Sequence, residues 1–178
     1  MVEYRLKNGK SVIVRKPLVK DAEAIINIIS AADTETDFLV RNPGEFHTTV
    51  EQEQKIISNM LNNANEEWFV AECDGKVVGL CSVGIVRNTQ RCRHRAEVTF
   101  VLLKDYCGIG IGGKLMQECI HWCKDKGITQ IELTVAADNK RAINMYENFG
   151  FKTTGKFPKA LRYPDGTFAD EQFMVLYI

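Results

Sequence analysis

The sequence lacks an excess of charge of either sign, a long apolar run and an apolar leader. Lys and Arg together number 23, as do Asp and Glu, so the basic excess typical of nucleic-acid binding is missing. The longest apolar stretch, Val77–Val86, has ten residues and contains Gly and Ser, about half of what a membrane-spanning helix needs. The first residues, MVEYRLKNGK, contain no apolar core of a signal peptide. We therefore expect no nucleic-acid partner and no membrane partner.

Paired cysteine motifs are also missing. The six cysteines lie at positions 73, 81, 92, 107, 119 and 123, with no CxxC pair, and several fall within apolar patterns. This usage is typical of reduced core thiols in a cytoplasmic protein. Cys119, His121 and Cys123 are close in sequence, but on a helix His121 points about 200° away from Cys119. The three side chains therefore cannot converge on one ion, and we expect no metal.

The length and composition are those of an ordinary folded chain. It has 178 residues, of which 45% are apolar and 26% charged. One domain of about 150 residues is the common size, so we expect a single domain over residues 1–178. A disordered or low-complexity chain is excluded by the composition.

Apolar periodicity, turn residues and capping residues predict the order of the elements. They are a strand at Ser11–Arg15, a helix capped by Asp21, a loop over Ala31–Thr48, a helix after a Thr48/Glu51 capping box, a hairpin over Trp68–Val86, a strand at Arg95–Leu103, a helix over Gly112–Lys126, a strand at Gln130–Val135, a helix over Asn139–Phe149 and a strand at Phe173–Tyr177. The fold class is therefore α/β with a mixed sheet. An antiparallel meander precedes a strand-helix-strand crossover, which we expect to be right-handed.

A glycine cluster lies between a predicted strand and a predicted helix. Residues 106–115 read YCGIGIGGKL. A glycine-rich turn at a helix start leaves backbone N–H groups unpaired at the positive end of the helix dipole, which favours an anion. The absence of a Cβ lets a phosphate approach, and Lys114 adds positive charge. The cluster therefore predicts a phosphate-binding loop.

Three kinds of phosphate ligand match parts of this loop. The GxGxxG spacing of Gly108, Gly110 and Gly113 fits a dinucleotide, but the loop follows a meander, and the next strand ends without an acidic residue. The GxxxxGK spacing fits a nucleoside triphosphate, but Leu115 stands where Ser or Thr would hold magnesium. Coenzyme A fits best, because its amide arm can pair with the strand that leads into the loop while its pyrophosphate sits on the loop.

Two motifs resemble one family. The segment from Cys107 to Gly112 is similar to the pattern Gln/Arg-x-x-Gly-x-Gly/Ala of the GNAT superfamily of N-acetyltransferases, with Cys107 in place of Gln or Arg. The segment NKRAINMYENFGF, from Asn139 to Phe151, resembles the family signature Asn-x-x-Ala-x-x-x-Tyr-x-x-x-Gly-Phe at every fixed position. By motif the resemblance covers residues 95–151, and by element order it covers most of the chain.

The resemblance implies a GNAT-like fold and transfer of an acetyl group from acetyl-CoA, as co-substrate, to a primary amine by direct attack. Residues in the strand end, the loop and the following motif are the expected coenzyme contacts. They are Val101, Leu102, Leu103, Gly108, Ile109, Gly110, Ile111, Gly112, Gly113, Lys114, Asn139 and Tyr146. A backbone N–H of the strand near residues 101–103 is the expected oxyanion donor.

The resemblance also implies roles for two side chains. Tyr146 lies seven residues after Asn139 on one helix face and is expected to give a proton to the departing thiolate. Glu97 interrupts an apolar strand beside the acetyl site, and partial burial would raise its pKa towards that of a useful base. A water relay without a dedicated base is the alternative. In one branch of the family the base would fall on Thr134, which cannot take that role.

The acceptor is the least determined part of the site. The segment Ala31–Thr48 occupies the place that covers the acceptor in such enzymes, and its DTETD stretch could attract a cationic amine. A solvated helix end is the simpler interpretation of those acids. Polyamines, aminoglycosides, small amino compounds and protein amines all stay open. The resemblance also implies a homodimer, and the rival function is a binding module that senses acetyl-CoA without turnover.

Overall fold

A mixed sheet is the frame on which every other element is placed. The computed structural model describes residues 1–6 and 8–178. Within those residues the chain forms eight strands and four α-helices, together with short 3-10 turns at Val19–Asp21 and Lys104–Tyr106. The elements are β1 (Val2–Arg5), β2 (Ser11–Arg15), α1 (Ala22–Glu35), α2 (Val50–Leu61), β3 (Glu66–Cys73), β4 (Lys76–Ile85), β5 (Arg95–Leu102), α3 (Ile111–Asp125), β6 (Gln130–Ala136), α4 (Lys140–Asn148), β7 (Lys152–Arg162) and β8 (Phe168–Tyr177).

The strand order is β1-β2-β3-β4-β5-β6-β8-β7. Strands β3, β4 and β5 form an antiparallel meander, and β5 is followed by α3 and then by the parallel strand β6. This confirms the predicted α/β class, the meander and the strand-helix-strand unit. A parallel pair needs a long crossover, and α3 supplies it.

Helices cover both faces of the sheet. Neighbouring residues of a strand point to opposite faces, as Phe69 and Val70 do on β3. Phe69 belongs to a core that includes residues of α3 and α4, whereas Val70 packs with residues of α1 and α2. The apolar run 77–86 is explained by this arrangement, because β4 is buried from both sides.

Two predicted helix boundaries are wrong by a few residues. Helix α1 continues to Glu35, so the predicted loop starts later than Ala31. The capping box of α2 is formed by Thr49 and Gln52, one residue after the predicted pair. Both pairs have the same spacing, and the structure selects the one whose side chains meet the backbone.

Asp21 stands at the N-cap position of α1 as predicted, but its carboxylate does not cap that helix. It accepts hydrogen bonds from the Arg15 guanidinium at 2.6 and 3.1 Å and from the Leu18 N–H at 2.7 Å. A buried arginine needs a paired carboxylate. The Asp21 carboxylate is therefore used by the ion pair with Arg15, although its position in the sequence predicts that it caps α1.

The sequence did not predict strands β1 and β7. β1 is short and mostly exposed, and β7 contains Gly155 and Pro158. Both lie at edges of the sheet, where proline is tolerated because one side of the strand has no partner to bond. Apolar alternation is weak in such strands, since neither face is deeply buried.

The cysteines carry free thiols. Cys119 and Cys123 lie in the core beneath the sheet, whereas the His121 side chain is 65% exposed. The predicted divergence of these three side chains is confirmed. No helix in the described part of the chain is long and apolar enough to span a membrane.

Candidate active site

The site begins where strands β5 and β6 separate. They pair only over residues 95–97 of β5 and 130–132 of β6. Beyond this point β5 continues against β4 and β6 continues against β8. The facing edges of β5 and β6 are therefore open to another molecule, and an extended ligand can pair with the free backbone groups there.

An ion pair holds the closed end of this opening. The Arg95 guanidinium donates two hydrogen bonds to the Glu132 carboxylate, at 2.7 and 2.6 Å. Such a bidentate contact fixes both distance and orientation. It ties β5 to β6 within the three residues over which the two strands pair.

Backbone N–H groups along β5 point alternately to β4 and to the opening, and this identifies which of them face a ligand. Leu103 N–H donates to the Val78 carbonyl at 3.1 Å, and Val86 N–H donates to the Arg95 carbonyl. In an antiparallel pair every second residue points to the partner strand, so Val101 also faces β4. Of the predicted donors 101–103, only Leu102 turns its N–H towards the open edge. Val101 and Leu103 are thus wrong as N–H donors to a ligand.

The glycine loop supplies a second set of free donors. Gly108 and Gly110 have φ angles of +81° and +104°, and Gly110 is the N-cap of α3. No acceptor is found among the described residues for the N–H groups of residues 108–113. These donors stand at the positive end of the α3 dipole, which makes the loop an anion-binding surface.

Gly112 and Gly113 also face helix α4, and their predicted contact with the coenzyme stays a prediction. A Cβ on Gly112 would lie 2.9 Å from the Met145 Sδ atom, and one on Gly113 would contact Phe149 at 3.7 Å. Gly112 therefore leaves room for the Met145 side chain of α4, whereas a side chain on Gly113 would make only ordinary contact with Phe149. The structure gives Gly112 a packing role beside its predicted contact with a phosphate.

Lys114 lies on the cavity wall, but its charge already has partners. Its Nζ atom donates to the Gln117 side chain at 3.1 Å and lies 4.7 Å from the centre of the Tyr4 ring. The cation–π contact and the hydrogen bond direct the ammonium towards β1. Its contact with the coenzyme stays a prediction.

Tyr146 lies on α4 and is 7% exposed. Its ring contacts Phe100 of β5 and Phe151, with centroids 6.1 and 5.7 Å apart. Burial, followed by the neighbouring thiols of Cys81 and Cys119, raises the pKa of Tyr146 well above its ordinary value. No hydrogen bond of its hydroxyl to another described residue is found, so this protonated phenol is available to a ligand.

Asn139 caps α4 and also lines the cavity. Its side-chain oxygen accepts the Ala142 N–H at 3.1 Å, while its NH₂ group has no partner within the described residues. The resemblance implies a contact of this residue with the coenzyme. Its oxygen is used by the helix cap, and its free NH₂ group leaves a donor for that contact, which stays a prediction.

Glu97 does not have the burial that was expected of it. The residue is exposed, and its carboxylate has no partner among the described residues. The nearby Arg95 pairs with Glu132 and not with Glu97. Glu97 does line the cavity, at the point where β5 and β6 part. The expectation of partial burial is wrong, and its role as a base stays a prediction.

One cavity of about 1790 Å³ joins these features. A typical pocket for one small ligand measures about 300–1,000 Å³, so the cavity has room for a coenzyme and an acceptor together. Its walls come from the open edge of β5, the glycine loop, α4, the segment after α1 and the turn between β7 and β8. Sequence analysis missed that last turn although Pro164-Asp165-Gly166 is a turn signal.

Sequence analysis also missed Tyr163 and Arg141, which both line the cavity. Tyr163 follows an unpredicted strand, so nothing placed it near the site. Arg141 is at a variable position of the α4 motif. It lies in the first turn of α4, two residues after Asn139.

The acidic stretch after α1 is largely engaged within the fold. Asp33 is buried and forms a bidentate pair with Arg41, at 2.9 and 3.1 Å. The Glu35 carboxylate accepts the Lys104 N–H at 2.8 Å. Only Asp37 retains a carboxylate with no partner among the described residues. The stretch therefore offers one free negative charge, not three.

Comparison with known proteins agrees with this geometry. The Acetyltransferase (GNAT) family matches residues 29–151. The L-amino acid N-acetyltransferase AaaT of Escherichia coli is 28% identical over 166 residues, which are 92% of this chain and 96% of that protein. Two other curated relatives match over 96 and 97 residues, which are 42% and 60% of their own lengths.

Solved structures share the whole fold. The GNAT acetyltransferase of Streptococcus pneumoniae is 26% identical with a TM-score of 0.88, covering 94% of this chain and 99% of that chain. The acetyltransferase yncA of Salmonella typhimurium, solved with acetyl-CoA, is 21% identical with a TM-score of 0.81, covering 93% of each chain. The chain belongs to the Acetyltransferase (GNAT) family.

Proposed function

We propose that this protein transfers the acetyl group of acetyl-CoA to a primary amine. The observation that carries the proposal is that the backbone N–H groups of residues 108–113 have no hydrogen-bond acceptor among the described residues. They lie next to the open edge of β5. A pyrophosphate matches the first feature, because it is an anion with several acceptor oxygens. An extended chain of amides matches the second, because it pairs with a strand edge. Coenzyme A carries both groups in one molecule.

The relatives support the identity of both substrates. The Salmonella typhimurium neighbour with the same fold was solved with acetyl-CoA. The E. coli relative that aligns along nearly all of this chain is named for L-amino acids as acceptors. L-amino acids are therefore the first acceptors to test, followed by polyamines and protein amines.

The described residues give each part of the reaction a group. The amine nitrogen attacks the thioester carbonyl, and the N–C bond forms as the C–S bond breaks. Leu102 N–H, on the open edge, donates to the oxygen that becomes negative. The Tyr146 hydroxyl gives its proton to the leaving sulfur. Glu97, or a water molecule beside it, takes the proton that the amine loses, and exchange with solvent restores both groups.

Tyr146 favours turnover over a purely sensing function. A coenzyme sensor needs the loop and the strand edge but has no use for a proton donor. In this chain a phenol kept protonated by burial lines the same cavity and has no partner among the described residues. Its hydroxyl is not fully buried and can donate to a ligand in the cavity, so a ligand-directed role explains its retention.

The test is a panel of amines incubated with acetyl-CoA and purified protein, with release of free thiol as the readout. Calorimetric titration with coenzyme A, without amine, measures binding separately. Thiol release that depends on the amine supports the proposal. Tight coenzyme binding without thiol release for any amine would leave the sensor function, and no binding at millimolar coenzyme would overturn both.

A further inference from the structure

Three buried thiols lie between β4 and α3. Cys81 is on β4, and Cys119 and Cys123 are about one turn apart on α3. All three residues are fully buried. The Sγ atoms of Cys81 and Cys119 are 2.8 Å apart, across 38 positions of sequence. No such contact of the Cys123 thiol is found among the described residues, so Cys81 and Cys119 form a pair and Cys123 is its neighbour.

The pair adjoins the cavity without lining it. Cys81 is opposite Phe100 in the register of β4 and β5, so the two side chains share a face of the sheet. The Phe100 ring contacts Tyr146, and both of these aromatic residues line the cavity. The thiol pair therefore lies one layer of side chains behind the cavity wall, within reach of a small oxidant. The proposed acetyl transfer uses neither thiol.

The two sulfurs are already close to bonding distance. The sulfurs of a disulfide are about 2.0 Å apart. An approach of about 0.8 Å, the difference between 2.8 Å and that length, would close the bond. Two groups held in contact react with each other far more readily than groups that have to meet by diffusion. Once either sulfur is oxidised, the other is therefore placed to capture it.

We propose that Cys81 and Cys119 are a redox-sensitive site, in which a peroxide converts the two thiols to a disulfide that fastens α3 to β4. One sulfur attacks a peroxide oxygen, the O–O bond breaks, and a sulfenic acid and one water form. The second sulfur attacks the first, the S–S bond forms, and the sulfenic hydroxyl leaves as a second water. Two thiols and one hydrogen peroxide thus give one disulfide and two waters, with sulfur oxidised and peroxide reduced.

The surroundings determine how fast the reaction runs and what it changes. Burial raises the pKa of the Cys81 thiol, so its reactive thiolate is scarce at neutral pH and the reaction is slow. Ile111 begins α3, and Cys119 follows it by eight residues, which is roughly two turns. The new bond is therefore remote from the free donors of the glycine loop. The disulfide should stabilise the fold and leave coenzyme binding nearly unchanged.

The test oxidises the full chain with Cys92→Ser and Cys107→Ser, which remove the two half-buried cysteines and leave four of the six thiols. Hydrogen peroxide is added at about pH 8.5, where more thiolate is present. The thiol count after denaturation should fall from four to two, and peptide mass spectrometry should find Cys81 joined to Cys119. Tm should rise by about 5–10 °C, and dithiothreitol should reverse each change. The calorimetric Kd for acetyl-CoA, which has no free thiol, should change less than about twofold.

Cys119→Ala and Cys123→Ala in the same background are matched variants, because each removes one buried thiol from α3. Cys119→Ala should keep its three thiols, whereas Cys123→Ala should lose two of three. Equal losses in both variants, no peptide that joins Cys81 to Cys119, an unchanged Tm or a larger change in Kd would overturn the inference. The peptide map needs neither alanine variant, so it decides the question even if one of them does not fold.

Discussion

The cavity wall formed by β5 and the glycine loop, here called the coenzyme end, is built differently from the wall where we propose that the acceptor binds, here called the acceptor end. At the coenzyme end, one continuous run of chain from β5 through the glycine loop into α3 provides the donors, and the fold fixes them by strand pairing and helix geometry. At the acceptor end, the wall comes from the segment after α1 and the β7–β8 turn. One hydrogen bond joins these two parts, from the Tyr163 hydroxyl to the Asp37 carbonyl, and another joins Lys104 to Glu35 at the end of α1. The first end is set by local backbone conformation, and the second by tertiary contacts.

This difference teaches where each end is vulnerable. A backbone conformation that depends on positive φ fails with one substitution, because only glycine adopts it readily. A wall held by several weak contacts loses them one at a time, with a small effect each. A single change at the coenzyme end should therefore abolish coenzyme binding, whereas each change at the acceptor end should weaken acceptor binding by a small amount.

Gly110→Val tests the coenzyme end most severely. The residue has a φ of +104°, and its substitution both strains the N-cap of α3 and places a side chain on the anion-binding surface. We expect the calorimetric Kd for coenzyme A to rise by roughly 100-fold or more. Gly127→Val is the matched control, because Gly127 follows the other end of α3 with a φ of +68°. Equal losses of affinity in the two variants would show that helix strain, and not the loop, is responsible.

Tyr146→Phe separates chemistry from binding at the same end. Removal of the hydroxyl leaves the ring contacts with Phe100 and Phe151, so the fold and the coenzyme Kd should stay unchanged. Loss of a general acid should lower kcat by about 100-fold or more. Because burial raises the pKa of Tyr146, the wild-type kcat should show no loss of this acid below about pH 10. An unchanged kcat in the variant would remove Tyr146 from the reaction.

Sequence analysis captured the coenzyme end well, for a physical reason. The glycine loop and the α4 motif are local patterns, and their geometry follows from a few consecutive residues such as Gly108, Gly110 and Asn139. The direction of the β5 donors could not be predicted, because it depends on how Leu103 registers against Val78 on another strand. The exposure of Glu97 was missed for the same reason.

The acceptor end has almost no local sequence pattern from which its residues could be predicted. Tyr163 lies next to a strand whose Gly155 and Pro158 hide its periodicity, and its partner is 126 positions away. The acids after α1 appeared as one cluster, but the fold engages Asp33 and Glu35 in two unrelated contacts. Patterns of residue type predict local conformation, whereas pairing between distant segments has to be seen in the structure.

Glu97→Gln tests the region between the two ends, because Glu97 lies where β5 and β6 separate. If its carboxylate accepts the amine proton, kcat should fall by about tenfold, because water in an exposed site can partly replace the base. Coenzyme affinity should not change. The measurement is the rate of thiol release under saturating substrates from pH 6 to 9. An unchanged rate across that range would assign the proton transfer to the water relay.

Glu53→Gln is expected to have the smallest effect. It tests how a buried charge on α2, the helix that follows the acceptor-end segment, affects the stability of the fold. Glu53 lies on α2, directly after the segment that covers the cavity, and is 3% exposed with its Oε1 atom unpaired among the described residues. Burial raises its pKa above the ordinary carboxyl value. The charged form is therefore the unfavourable one in the folded protein.

The sign of the effect follows from that shift. A raised pKa gives the folded state an advantage below the unfolded pKa, near 4.5, which is lost as the pH rises through the folded pKa. Glutamine carries no charge to desolvate, so the variant should gain about 1–2 kcal/mol in free energy of unfolding at pH 7 and nothing near pH 4. Urea denaturation at both pH values measures this, with Glu23→Gln on the exposed face of α1 as the control. A loss of stability at pH 7 would mean that the Glu53 carboxylate has a partner that stabilises its charge.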